Sequence, residues 1–109
     1  MESNTVILIL EHIFKNKGKK IKIDSIDTFF DDGVSFPSFI SLICNVSKIP
    51  NIIKKPASKA DKKRNNDIAL RYLFKNNEAI QKENPNFENL DNQINLLLLI
   101  FRKQCFTLD

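Results

Sequence analysis

Four stretches of the chain place apolar residues at helical spacing. Over residues 4–16, Val6, Ile9, Leu10, Ile13 and Phe14 fall three and four apart, and Ile7 and Leu8 widen the apolar surface. A helix that is apolar over most of its circumference belongs in a core. Gly18 supplies its stop, and the neighbouring lysines suit the negative end of the helix dipole. Over 36–45, Phe36, Phe39, Ile40 and Ile43 form a single stripe. A third helix starts near Ser58, an N-cap with Asp61 three residues on. It carries Ile68, Ala69, Tyr72 and Leu73 inward and stops at Asn76-Asn77. Over 91–104, the run from Leu96 to Phe101 is apolar on every face, which predicts the central, most buried helix.

The segments between are short and anchored. Residues 24–30 read as a connector with a helical turn that tucks in Ile26, Phe29 and Phe30. In 46–56, Pro50 and Pro56 prevent a helix, and Ile49, Ile52 and Ile53 are the anchors. Residues 78–90 read as a loop with a short turn, held by Phe87 and Leu90.

At 109 residues the expected unit is one domain, 1–109, and 42% hydrophobic residues suffice for a core. With only 2 glycines and 4 prolines, the chain lacks the turn formers of a β-sandwich or barrel. The fold class expected is all-α, a compact bundle of four main helices plus short connecting turns. Cys44 and Cys105 are too few for a disulfide framework and lie in apolar surroundings, as reduced thiols of a cytosolic protein do. The longest apolar run, 96–101, is far too short to cross a bilayer, and the N-terminus lacks signal-peptide features. The expected location is therefore cytoplasmic.

Candidate chemistry begins at "DDGVSFPSFI". Asp27, Asp31 and Asp32 do not have calcium-loop spacing, since Phe29 and Phe30 occupy the middle. The two adjacent acids fit the entry of the second main helix, with Gly33 turning the chain, Ser35 as N-cap and Pro37 inside the first turn. There is no glycine-rich phosphate loop, no Cys-x-x-Cys and no His-Glu-x-x-His. The one histidine, His12, is read as a packed or half-exposed aromatic. The chain is thus expected to be no enzyme and to need no cofactor and no metal.

Charge carries the functional hint. The net value is +4, unevenly spread: residues 48–64 hold seven basic side chains against one acid, and 76–95 hold one lysine against four acids. One basic cluster is Lys15, Lys17, Lys19 and Lys20; the other is Lys54, Lys55, Lys59, Lys62, Lys63 and Arg64. Both read as electrostatic docking sites for an acidic partner. Nucleic acid is disfavoured because no exposed aromatics interleave with the charges. The predominance of lysine favours diffuse attraction over bidentate phosphate recognition.

Taken in order, the elements resemble a calponin homology domain. The likeness rests on the first-helix segment "ILEHIF", the Asp-Gly entry "DDGVSFPSFISLI", the loop "KIPNI", the helix "KPASKADKKRNNDIALRYL" and the final "INLLLLIF". It covers nearly the whole chain through an ordered set of motifs, none specific alone. The family's first-helix tryptophan is missing, with His12 or Ile13 at about that position. The resemblance implies a helical domain that binds filaments or signalling proteins. Tandem pairs typically bind actin, and single copies bind microtubules or other proteins. It further implies exposed edges of the first and last helices, such as Glu11, Lys15, Arg102 and Lys103, on a filament surface. Actin filaments are the expected partner; microtubules or a dimerising protein contact are the alternatives. The chain is expected to be the N-terminal domain of a longer protein, with room for a second such domain or a coiled coil, rather than the alternative, a small whole protein.

Overall fold

The computed structural model describes residues 3–104. Within them the chain forms six helices and no strand: α1 (Ser3–Asn16), α2 (Ile26–Asp31), α3 (Ser35–Ile43), α4 (Lys59–Asn76), α5 (Glu78–Glu83) and α6 (Leu90–Lys103). The all-α fold is as the periodicity and the scarcity of turn formers predict. None of these helices is long and apolar enough to cross a membrane.

The helix ends follow local chemistry. α1 closes where Gly18 takes φ +81. There the Lys19 N–H donates to the Phe14 carbonyl at 2.9 Å and the Gly18 N–H to the Lys15 carbonyl at 3.0 Å. This is a glycine-stopped C-terminus with its last carbonyls satisfied. α3 ends the same way with asparagine in the glycine role: Asn45 has φ 57, and the Val46 N–H reaches the Ser41 carbonyl. Ser58 caps α4 through the Asp61 N–H, as its spacing predicts.

The start of α3 corrects one expectation. Ser35 lies inside the helix, not at its cap, and the cap position falls on Val34, whose side chain cannot accept a hydrogen bond. Asp32 takes over, accepting from the Val34 N–H at 2.8 Å and the Ser35 N–H at 2.7 Å. A carboxylate reaching forward over the first turn satisfies two free donors and favours the positive helix end. Pro37 lies in the first turn, where its missing N–H has no intrahelical partner to lose.

The core is one cluster drawn from every helix. Rings chain through it: Phe101 meets Phe39, which meets Phe14 and Phe29, and Phe29, Phe30, Phe36 and Phe87 continue the series. Offset and edge-on pairs of this kind add about 0.5–1.5 kcal/mol each beyond their buried area. α6 packs on α1, α2 and α5, and α4 packs on α2, α3 and α5, so the centre is shared between two helices. Three expectations shift accordingly. α1 buries one face, Val6, Leu10, Ile13 and Phe14, and leaves Leu8 65% exposed. Leu98 and Phe101 of α6 are only partly buried. Leu90 is exposed at the start of α6, so Phe87, stacked on Phe30, anchors that connector without it. Residues 78–83 form a complete short helix, α5, capped by Asn77. Cys44 is half-buried; Cys105 lies outside the described residues.

Candidate protein-binding surface

α4 carries the larger basic cluster, and its inner face explains how it is held. Ala69 and Leu73 are buried as the stripe predicts, but Ile68 and Tyr72 are only flanking, and Leu70 joins the core. Two asparagines complete the inner face. Asn65 is fully buried: its Nδ2 donates to the Gly33 carbonyl at 3.0 Å and to the Ile53 carbonyl at 2.8 Å, and its Oδ1 accepts from the Ile53 N–H at 2.9 Å. Asn66 donates to the Phe30 carbonyl at 2.6 Å. Buried backbone groups in loops, and carbonyls in the last turn of a helix such as that of Phe30, need such partners because no ladder or helix supplies them.

These bonds tie the α2–α3 turn and the 53–55 loop to α4. Gly33 closes the contact. It has φ +66, and a Cβ there would lie 2.6 Å from the Lys62 Cα. Glycine is therefore required twice, for its backbone angle and for the approach of α4. The sequence pattern predicts the turn at Gly33 but marks neither asparagine as a core residue. A signal for Asn65 was present in the spacing, since Asn65, Ala69 and Leu73 are four apart and so share one helix face.

The remainder of the α4 cluster points outward. Lys59, Lys63 and Arg64 are exposed, as are Lys54 and Lys55, which the Asn65–Ile53 bonds hold beside the helix. Lys62 differs: its stem packs against Gly33 and the residue is only partly exposed, so it has a structural role as well. Arg71, one turn past Asp67, joins Lys63 and Arg64 around a shallow depression of about 520 Å³. It was missed because it lies beyond the contiguous basic run, although seven residues from Arg64 is two helical turns on one face. Lys59, Lys62 and Lys63 also border a groove of about 500 Å³ in which Asp31, Asp67 and Glu88 balance them.

The second cluster sits elsewhere. Lys15, Lys17, Lys19 and Lys20 are exposed at and after the end of α1. That loop is fastened to α1 by the Ile23 N–H donating to Glu11 Oε2 at 2.9 Å. Lys19 lines a concavity with Lys22, Asp24 and Asp32, and Lys54 lines another with Lys48 and Pro37. Val34 and Ser38 border both, so the start of α3 separates the two basic regions.

No protein-family model matches the chain, and neither a curated protein nor a solved structure does.

Proposed function

We propose that this chain is a non-catalytic binding module of calponin-homology-like type that docks on an acidic cytoskeletal filament, with actin first and microtubules second. The observation that carries the reading is the basic surface of α4 and the adjoining loop. Lys54, Lys55, Lys59, Lys63 and Arg64 project from a segment locked in place by Asn65 and Gly33. An array of like charge speeds encounter with an oppositely charged surface, and the anchored backbone beneath it needs no ordering on docking. The order of the helices and the ordered motifs support the family likeness. A cytoskeletal partner implies a cytoplasmic location.

Co-sedimentation with actin filaments and, separately, with microtubules over a salt series tests the reading. Pelleting is expected at low salt and should fade as added salt screens the exposed charges. Absence from both pellets at low salt would remove the filament reading. A dimerisation module is the second reading, carried by Leu8, which is 65% exposed between the partly buried Ile7 and Ile9. Light scattering should then give a doubled mass that Leu8→Glu returns to the monomer value.

A further inference from the structure

The cations of α4 are not equivalent. In the groove bordered by Phe87, Lys59, Lys62 and Lys63 face Asp31, Asp67 and Glu88, and the charges cancel. In the neighbouring depression, Lys63, Arg64 and Arg71 face Asp67 alone. Excess positive charge therefore gathers where the two arginines of this helix sit, and both are exposed. Seven residues of α-helix separate them by a rise of about 10 Å. Asn51, held at φ 70, also borders the depression.

From this geometry we infer that the depression docks an extended, carboxylate-rich peptide segment of the partner, with Arg64 and Arg71 each taking one carboxylate and Lys63 adding a point charge. The inference rests on the proposed docking function and names the chemistry of its partner. A guanidinium presents a planar fork of donors that matches a carboxylate bidentately. An acidic chain repels itself into extended forms, and in a polyproline-II conformation residues three apart lie on one face about 9 Å from each other. That repeat matches the rise between the arginines, so Glu-x-x-Glu is the fitting register. Asp67 lies between Arg64 and Arg71 in the helix and opposes a single phosphate dianion bridging both. None of the residues lining the depression is aromatic, so stacked bases find no platform.

Fluorescence anisotropy of a labelled Glu-x-x-Glu repeat peptide against the whole chain at low salt tests this, with a Gln-x-x-Gln peptide as control. The acidic peptide should bind and the control should not. Arg64→Glu with Arg71→Glu should weaken binding about tenfold or more, and Lys15→Glu with Lys17→Glu no more than about twofold. Arg64→Lys with Arg71→Lys, which keeps the charge but loses the fork, should weaken it several-fold. Equal losses from both reversal pairs would reduce the effect to net charge and overturn the site. Undiminished binding by the lysine pair, or tighter binding of inositol hexakisphosphate than of the peptide, would overturn the carboxylate assignment. Filament pelleting separates the two readings. If the Glu pair still pellets as the parent does, this site falls and filament binding stands. If the parent binds peptide but pellets with neither filament, the site stands and the filament reading falls. Thermal melts of each variant confirm that it is folded.

Discussion

At the scale of single residues, Asn65 does work that its polar character alone does not suggest. It answers three backbone groups from two segments far apart in sequence. Asn65→Ala would leave those groups buried and unpaired, and a loss of about 3 kcal/mol is expected. Differential scanning calorimetry should show the melting temperature falling by more than about 10 °C. A drop of only a degree or two would mean that water replaces the amide. Gly33→Ala should be similarly damaging, because the left-handed φ costs about 1–2 kcal/mol before the clash with the Lys62 backbone is added. Asn66 and Gln93 show the reverse side of the same physics. Each amide nitrogen is fixed on a backbone carbonyl, of Phe30 in the last turn of α2 or of Phe87 in the loop before α6, and the oxygen is left buried without a partner. Burial pushes the Cys44 thiol above its ordinary value of 9.0. The unfolded chain therefore ionises there first, so the stabilisation from this group is complete below that pH and declines above it. In a Cys105→Ser variant, mass spectrometry should find Cys44 alkylated at pH 8 more slowly than free cysteine; a free-thiol rate would show that the packing around it opens readily.

At the scale of elements, asparagine replaces glycine in a chain that has almost none. Asn45, Asn51 and Asn84 take positive φ, and Asn77 and Asn89 cap α5 and α6. The side chain tolerates the left-handed region and accepts from free N–H groups, which suits it to both ends of a helix. Asn45→Gly should accordingly stabilise by about 0.5–1 kcal/mol, raising the melting temperature a few degrees, while Asn45→Ala lowers it. If the two substitutions moved it the same way, φ would not be the deciding factor. For α4, the inner and outer faces should separate experimentally. Lys63→Glu with Arg64→Glu should impair filament pelleting and leave the melting temperature within about 2 °C, since exposed charges contribute little to stability. Lys62→Ala should instead cost stability, because it removes the stem beyond Cβ that packs beside Gly33. These boundaries were legible to within a residue or two wherever a stripe or a capping residue marked them. The cap of α3 was not, because Ser35 and Asp32 are both good acceptors and only the backbone path selects between them.

At the scale of the whole molecule, two basic regions flank the start of α3 without merging. An acidic filament that engages both should show a steeper salt dependence than one touching α4 alone. Pelleting of a Lys15→Glu, Lys17→Glu variant across the salt series measures this; an unchanged slope would confine docking to α4. The apolar spacing determined by itself that the chain is helical, roughly where the main helices lie, and that Phe36, Phe39, Ile40, Leu96 and Leu97 are interior, because period and hydrophobicity are local properties. It overstated the burial of Leu8 and Leu90, since a helix buries only the side its neighbours cover. Helical spacing already places Asn65 on the inner face and Arg71 beside Arg64, but the tertiary structure alone decided which backbone groups Asn65 and Asn66 answer and that Lys62 is partly structural. Each depends on which loop or helix turn comes to rest against α4, and no residue carries that information until the chain has packed.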